Sequence, residues 1–290
     1  EMNDAKTEMI LPRPPANWLH QQARAARRAW VRHCRDIARG PERRRYNIEL
    51  NWREFWHGRT RLRSTPRLIQ VGTNWSCNLK CNFCRLTMDW TQEQLRKLSP
   101  PEREISDRVF QVVKELLAGA EMMVLTPLGE PFLWSRLDEL LEHHARLGTR
   151  NLAMTTNGML LNDRNCERIV RGQLAHLFCS IDSNDPEVYA NMRVGGELRR
   201  VEDGLRRLAQ WKQRLGTEFP KMTCNATFLE RNIRQLPSMV AWAKDLGFQE
   251  LSVQLMEIEN PELEEEFLGH HAQLVHDSVL EALAVGRRIG

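Results

Sequence analysis

Three cysteines, Cys77, Cys81 and Cys84, lie within eight residues of the sequence. Spacings of four and three residues allow their thiolates to converge on one face of an iron–sulfur cubane, and thiolate is the standard ligand for iron in such clusters. Three cysteines leave one iron of a [4Fe-4S] cluster without a protein ligand, so an external molecule can chelate that iron. The spacing therefore predicts a metal centre with one open position.

A structural zinc site is the alternative that this spacing leaves open. A closed zinc site needs a fourth Cys or His ligand, and the nearest histidine, His57, lies upstream of the first predicted strand. Cys166, Cys179 and Cys224 each lie within an apolar helix or strand pattern, which is typical of packing residues. A non-catalytic zinc or iron–sulfur protein with a basic partner-binding arm therefore remains an alternative to an enzyme at this point.

Polar segments that could surround a metal centre follow several predicted strands. Residues 126–131 read Thr-Pro-Leu-Gly-Glu-Pro, and residues 155–158 read Thr-Thr-Asn-Gly. Period-two alternation places Ser180 and Asp182 on one face of the fourth strand, and it places Asn225 on the polar face of the fifth. Because the chemistry of a parallel barrel collects at the carboxyl ends of its strands, we expect these segments to meet the cysteines at one mouth.

The cysteine segment resembles the signature of the radical S-adenosylmethionine (SAM) superfamily: Cys77-x3-Cys81-x2-Cys84, with the aromatic Phe83 just before the last cysteine. The resemblance extends over roughly residues 66–290 and includes further landmarks in the family's order. It implies a [4Fe-4S] cluster and SAM as cofactors. It also implies reductive cleavage of SAM to a 5′-deoxyadenosyl radical, which abstracts a hydrogen atom from a substrate carbon.

The resemblance also implies a set of SAM contacts. Residues 126–131 resemble the family's Gly-Gly-Glu-Pro segment, with Leu128 in place of the first glycine. Between Thr155 and Thr156 we favour Thr155, which shares a strand face with Ala153. Arg193 is expected to pair with the methionine carboxylate, since its planar fork suits that task. The implied contacts are Phe83, Gly129, Glu130, Thr155, Ser180, Asp182, Arg193, Asn225 and Met256; the catalytic residues that act on the substrate stay unassigned.

The elements that must position these residues are predicted by hydrophobic periodicity. From about residue 67, short apolar runs rich in β-branched residues alternate with segments of helical period, which is typical of repeated βα units. We predict an α/β fold, a partial (β/α)6 TIM-type barrel with an open parallel sheet and outer helices. The predicted strands are 67–72, 122–126, 151–155, 175–181, 222–228 and 251–256. The clearest predicted helices are 106–118, 136–147, 204–215, 236–246 and a final helix at 271–289, which is expected to cover the last strand.

The segment before the barrel is predicted to be a helical, basic N-terminal extension of residues 1–65, followed by the barrel at 66–290. Arginines cluster at 27–28 and 43–45, and residues 23–37 have a helical period. Such a basic face can contact nucleic acid, an acidic partner or an anionic surface, although a solvated helix face is the simplest interpretation. Paired histidines at 143–144 and 270–271 lie on predicted helices and are expected at the surface.

Composition narrows the class of protein. The chain has 41% hydrophobic and 28% charged residues and a net charge of +4, which is ordinary for a water-soluble globular protein. No run of 18 apolar residues predicts a membrane span, and the first residues do not resemble a secretory signal. Seven cysteines, three of them clustered, favour a metal site over a disulfide framework. We therefore expect a cytoplasmic protein without a membrane partner.

The resemblance implies an electron donor of the flavodoxin or ferredoxin type, which the basic N-terminal face can help to dock. Residues 61–66 and 182–193 are similar to members that carry a C-terminal SPASM or twitch domain. Those members modify ribosomal peptides, or they epimerise, dehydrogenate, cross-link or decarboxylate metabolites. No cysteine follows Cys224, so we expect either a truncated chain or an enzyme with one cluster. A peptide or small-molecule substrate is predicted; RNA is the alternative, but a nucleic-acid partner is not expected without a recognition module.

Overall fold

A six-stranded parallel sheet forms the centre of the protein in a computed structural model that describes residues 42–256 and 260–289. The strands lie in the order of the sequence, and each pairs only with its neighbours. They are β1 (Leu68–Val71), β2 (Met122–Leu125), β3 (Leu152–Thr156), β4 (His176–Ser180), β5 (Lys221–Phe228) and β6 (Glu250–Leu255). The predicted open, partial (β/α)6 barrel is confirmed.

Helices connect the strands and cover one face of the sheet. The α-helices within the described residues are α1 (Glu42–Trp56), α2 (Asp89–Arg96), α3 (Asp107–Leu117), α4 (Leu137–Leu147), α5 (Asp163–Arg171), α6 (Pro186–Met192), α7 (Leu198–Arg214), α8 (Glu230–Ile233), α9 (Leu236–Asp245) and α10 (Ala272–Ile289). Short 3-10 helices lie at Arg85–Thr87, Pro100–Arg103, Pro131–Leu133, Pro261–Glu266 and Leu268–His270. None of the described helices has the length and apolarity needed to cross a bilayer.

Alternation along the strands separates an apolar outer face from a polar inner face. On β4 and β5, Leu177, Cys179 and Cys224 are completely buried against the helices. Ser180 and Asn225 point to the opposite face and are half-buried. The two cysteines are therefore packing residues, as predicted, and the inner face of the barrel carries polar side chains.

Helix α7 begins earlier than predicted. The predicted start was Gly204, whereas the helix begins at Leu198 and includes the glycine in its interior. A Cβ atom at position 204 would lie 2.6 Å from the Cβ of Leu161. Gly204 thus permits close packing of the helix against the loop after β3 and does not mark a helix end.

The final helix does not take the predicted position over β6. Helix α10 packs mainly against α9. Val253 and Leu255 on β6 remain 45% and 58% exposed. The prediction was wrong because the amphipathic pattern identifies the apolar face of a helix but not the element that this face contacts.

Helix α1 is the described part of the predicted N-terminal extension. Asn47 donates hydrogen bonds to the carbonyls of Thr65 (3.1 Å) and Gly119 (3.0 Å), and this fastens the helix to the loops beside β1 and β2. Glu54 accepts hydrogen bonds from the backbone N–H groups of Arg63 (2.7 Å) and Ser64 (3.1 Å). The predicted helix at 23–37 lies outside the described residues, and the division at residue 65 stays a prediction.

His144 lies in the interior of the protein, so the prediction of a surface histidine was wrong; His270 is exposed as expected. The Nδ1 atom of His144 lies 2.8 Å from the carbonyl oxygen of Gly172. Its Nε2 accepts hydrogen bonds from the backbone N–H groups of Asn151 (3.1 Å) and Leu152 (3.3 Å). These partners fit a neutral imidazole with the proton on Nδ1 and join α4 to the start of β3. Burial lowers the pKa of His144.

A pH dependence of stability follows from His144. The unfolded chain takes up a proton at this position near pH 6.5, whereas the folded protein does so only at lower pH. We therefore expect its contribution to stability to be present above about pH 6.5 and to be lost as the pH falls through the lowered native pKa. His144→Gln should cost about 2 kcal/mol at pH 8, because buried N–H and C=O groups lose partners.

Urea unfolding between pH 8 and pH 5 measures both effects. His270→Gln is the matched control, because that imidazole is exposed. Equal pH profiles for the wild type and His144→Gln would contradict the assignment.

Candidate functional site

The cysteine segment forms the loop after β1 and brings three thiols close to one another. Cys81 is buried, and Cys77 and Cys84 are half-buried. Backbone N–H groups point at two of the sulfur atoms: Leu79 donates to Cys77 Sγ and Leu86 donates to Cys84 Sγ, each at 3.4 Å. Such donors stabilise thiolates, which are the form that binds metal.

Burial raises the pKa of Cys77 and raises the pKa of Cys81 to about 11. Cys84 also raises the pKa of both thiols through its charge, which shows that the three groups influence one another. Since only thiolate binds a metal, metal binding at this loop must release protons.

No closed zinc site forms among the described residues. Across residues 42–256 and 260–289, no three His, Cys, Asp or Glu side chains converge in a way that could hold a single metal ion. A closed zinc site requires four ligands around one ion, whereas each iron of a cubane takes its own thiolate. Cys166, Cys179 and Cys224 are fully buried in the helix-packed core, so they do not complete a zinc site.

The loop after β2 is bound directly to the cysteine loop. Glu130 N–H donates to the carbonyl of Ser76 at 2.7 Å, and Gly129 N–H donates to the carbonyl of Asn74 at 3.1 Å. A Cβ atom on Gly129 would lie 2.2 Å from the Ser76 oxygen. Leu128, which departs from the family's glycine, is 40% exposed. The Leu128 side chain therefore extends into solvent without disturbing the loop. The close approach of the β2 loop to the cysteine loop depends on Gly129.

The Glu130 side chain is buried and joins the ends of β2 and β3. Its carboxylate accepts hydrogen bonds from Thr156 Oγ1 (2.7 Å) and from Asn157 N–H (2.9 Å). Burial raises the pKa of Glu130 to about 7 in spite of these bonds.

Thr155, which was favoured over Thr156 as a SAM contact, is half-buried on the inner face of β3. Its role toward SAM stays a prediction, whereas Thr156 has a structural role that the sequence did not indicate.

A buried ion pair lies beneath the cysteine loop. Arg193 Nε is 2.7 Å from Asp182 Oδ2, with the two side chains 8% and 0% exposed. Asp182 also accepts a hydrogen bond from Thr227 N–H at 2.9 Å. Arg193 Nη1 lies 3.9 Å from Cys81 Sγ, and the guanidinium carbon is 5.7 Å from the centre of the Phe83 ring. Burial alone would lower the pKa of Arg193, but the charges of Asp182 and Cys81 raise it, so the group stays protonated.

An apolar wall borders the same mouth. Phe83 packs against the main core and against a small separate cluster, formed by the buried residues Met192, Leu229, Met256 and Leu263. The structure thus brings Phe83 and Met256 together, although they are far apart in the sequence. Ser180 and Asn225 are register partners on the inner face of β4 and β5.

Two asparagines take part in the site without having been identified from the sequence. Asn157 donates to Asn78 Oδ1 at 3.0 Å and approaches Cys77 Sγ at 3.8 Å; its Asn-Gly dipeptide indicated only a turn. Asn232 donates to the carbonyls of Asp182 (2.7 Å) and Thr227 (2.9 Å). No motif surrounds Asn232, so only the fold identifies its role.

Comparison with known proteins agrees with this geometry. Residues 76–214 match the family model described as the Radical SAM superfamily. A probable GTP 3′,8-cyclase from Methanococcus maripaludis is 26% identical over 209 residues, which cover 72% of this chain and 64% of the relative. The match places a Radical SAM domain at residues 76–214 of this chain. Enzymes of this superfamily use a [4Fe-4S] cluster and SAM, which are the predicted cofactors.

Solved structures share the fold. Streptococcus suis SuiB bound to S-adenosylmethionine superposes with a TM-score of 0.58 at 16% identity, covering 82% of this chain and 51% of SuiB. The enzyme anSMEcpe with bound AdoMet superposes with a TM-score of 0.51 at 17% identity, covering 74% of this chain and 62% of anSMEcpe. Both are SPASM- or twitch-type members, the group that residues 61–66 and 182–193 resemble. The chain spans about half to two-thirds of the length of these relatives.

Gly129→Ala tests the close approach of the β2 loop to the cysteine loop. The added Cβ atom would collide with the Ser76 backbone, which cannot move aside as a flexible side chain can. We expect iron content after anaerobic reconstitution to fall at least about threefold and unfolding to become easier by about 2 kcal/mol, in the range of overpacked sites.

Gly72→Ala is the matched control, because Gly72 also follows β1 and a Cβ atom there meets nothing within 4 Å. Iron and sulfide analysis with thermal unfolding gives the comparison. Wild-type iron content in Gly129→Ala would disprove the proposed constraint.

Proposed function

We propose that this protein cleaves SAM reductively at a [4Fe-4S] cluster held by Cys77, Cys81 and Cys84, and that the resulting radical abstracts a hydrogen atom from a substrate carbon. One observation carries the proposal: the loop that holds Cys77, Cys81 and Cys84 is bonded to the Gly129–Glu130 loop and contacted by the buried Arg193. The cluster supplies the electron that cleaves SAM. The protein supplies the ligands, the shape of the pocket and the exclusion of water.

Arg193 and the backbone donors around the loop would stabilise the cysteine thiolates. Arg193 places a positive charge 3.9 Å from Cys81 Sγ, and the Leu79 and Leu86 N–H groups point at the other two sulfur atoms. Positive charge and N–H donors favour thiolate over thiol. These groups therefore oppose the effect of burial, which favours the protonated cysteines.

SAM would bind between the β2 loop and the apolar wall. The backbone of Gly129 and Glu130 would hold its amino group, and the Arg193 guanidinium is the cation available for its carboxylate. Phe83 and Met256, which belong to one apolar cluster, would contact the adenine. Thr155, Ser180, Asp182 and Asn225 would surround the remaining polar groups of SAM or face the substrate.

The substrate would occupy the inner face of the barrel, where half-buried polar residues follow one another along neighbouring strands. A peptide is our first candidate: SuiB has been crystallised with the precursor peptide SuiA and anSMEcpe with the Cp18Cys peptide. A small metabolite is the second, since the relatives by sequence include a probable GTP 3′,8-cyclase. The reaction type beyond hydrogen abstraction stays open among epimerisation, dehydrogenation, cross-linking and decarboxylation.

We further propose that a flavodoxin- or ferredoxin-type protein supplies the electron and that the enzyme works in the cytoplasm. The six cysteines within the described residues form no disulfide. Reduced thiols persist in a cytoplasmic environment, and the loop cysteines must stay reduced to bind iron.

The decisive experiment is anaerobic reconstitution followed by incubation with SAM and dithionite. We expect about four irons per chain and formation of 5′-deoxyadenosine and methionine. Cys81→Ala should abolish both iron binding and SAM cleavage, because it removes a ligand. Cys179→Ala, which removes a buried thiol of the packing face, should retain both. A colourless, zinc-loaded protein that leaves SAM intact would overturn the proposal.

A further inference from the structure

A cavity of about 280 Å³ lies on the outer side of the cysteine loop, between this loop and α2. Its walls include Trp75, Cys77, Lys80, Arg96 and Arg103. Cys77 is one of the proposed cluster ligands, so the cavity reaches from the protein surface to the metal-binding loop itself. We call this surface the cysteine-loop face.

The charge of the cysteine-loop face is positive. Lys80 and Arg96 are exposed and have no ion-pair partner among the described residues. Arg103 donates to the carbonyl of Leu95 at 2.9 Å, and its Nε is buried without a hydrogen-bond partner. No acidic residue lines the cavity.

The acidic side chains near the cavity are engaged elsewhere. Glu93 pairs with Lys97 at 3.0 Å. Glu102 accepts hydrogen bonds from Ser99, and Glu104 from Ser135. Asp89 lies at the amino end of α2, the opposite end from Arg96, where it complements the helix dipole. Lys80 and Arg96 therefore remain available to an acidic partner.

Exposed aromatic rings accompany these cations. Trp75 borders the cavity and is 39% exposed, and Trp90 on the adjoining helix is 59% exposed. Tryptophan and arginine are the residues most enriched among those that dominate binding at protein interfaces. The face thus combines charge for steering with apolar area for contact.

We propose that an acidic one-electron donor protein docks on the cysteine-loop face, with Lys80 and Arg96 as its principal electrostatic contacts. The inference rests on the proposed function, since it assigns the docking surface of the electron donor for the same site. A donor seated here approaches Cys77 directly. Short separation matters because the rate of electron tunnelling falls exponentially with distance.

A more basic surface elsewhere is less well placed. Arg59, Arg61 and Arg63 line a cavity of about 420 Å³ beside α1. This segment precedes β1, whereas the cysteine loop follows it, so the two surfaces lie at opposite ends of a strand that spans roughly 13 Å. The cysteine-loop face lies nearer to the proposed cluster ligands than this arginine-rich surface does. We therefore expect the donor to dock on the cysteine-loop face and not on the basic segment before the barrel.

Charge reversal at the two surfaces tests the proposal with a purified bacterial flavodoxin as the probe. Binding of labelled flavodoxin to the reconstituted protein is measured by fluorescence anisotropy from about 50 to about 300 mM salt, a range over which exposed charges become screened. Lys80→Glu with Arg96→Glu should weaken binding by about tenfold or more and flatten the salt dependence. Arg59→Glu with Arg61→Glu, the matched control, should change binding less than about twofold.

Cluster reduction provides a second measurement. Reduced flavodoxin should generate the electron paramagnetic resonance signal of the reduced cluster more slowly in the Lys80/Arg96 variant, while dithionite should reduce it as in the wild type. Wild-type binding by this variant, or loss of binding in the Arg59/Arg61 variant, would overturn the proposal. Failure of dithionite to drive SAM cleavage in the wild type would instead overturn the proposed function, so the two failures are distinguishable.

Discussion

The buried charge of Arg193 is the interaction on which the rest of the site depends. A guanidinium loses much of its hydration when it is buried, and only a close partner offsets that loss. Asp182 is that partner, at 2.7 Å and with no exposure of its own. Burying such a pair adds little net stability, so its position must be explained by what it contacts. Arg193 also faces Cys81, and this places a fixed positive charge beside a sulfur atom that must lose its proton when metal binds.

The parallel sheet places the other parts of the site around this charge. The loop after β1 carries the cysteines, the loop after β2 carries Gly129 and Glu130, and the end of β4 leads to Asp182. Each loop is bound to the next: Glu130 N–H bonds to the Ser76 carbonyl, and its carboxylate bonds to the end of β3. The irregular cysteine loop thereby acquires a fixed shape from regular elements, because neighbouring carboxyl ends of parallel strands meet at one edge.

Much of this arrangement could be predicted because it is encoded locally. The six strands appear within one or two residues of their predicted limits, since runs of apolar residues with period two reflect burial along a single element. Contacts between elements were not predictable in the same way. His144 is buried because its two ring nitrogens bond to Gly172 and to the start of β3. Asn232 supports Asp182 across 50 residues of sequence. Such partners are identified only after the chain has folded.

The raised pKa values around the mouth suggest how the site is assembled. Burial favours neutral Cys77 and Cys81 and brings the pKa of Glu130 to about 7. Three uncompensated negative charges in one buried mouth would be costly. Protonation avoids that cost, and the Asp182–Arg193 pair is neutral as a unit. An iron–sulfur cluster bound at these cysteines would replace the thiol protons, and the ammonium group of a bound SAM would favour ionised Glu130. In that case the negative charges of the site would form only as the positive charges that balance them arrive.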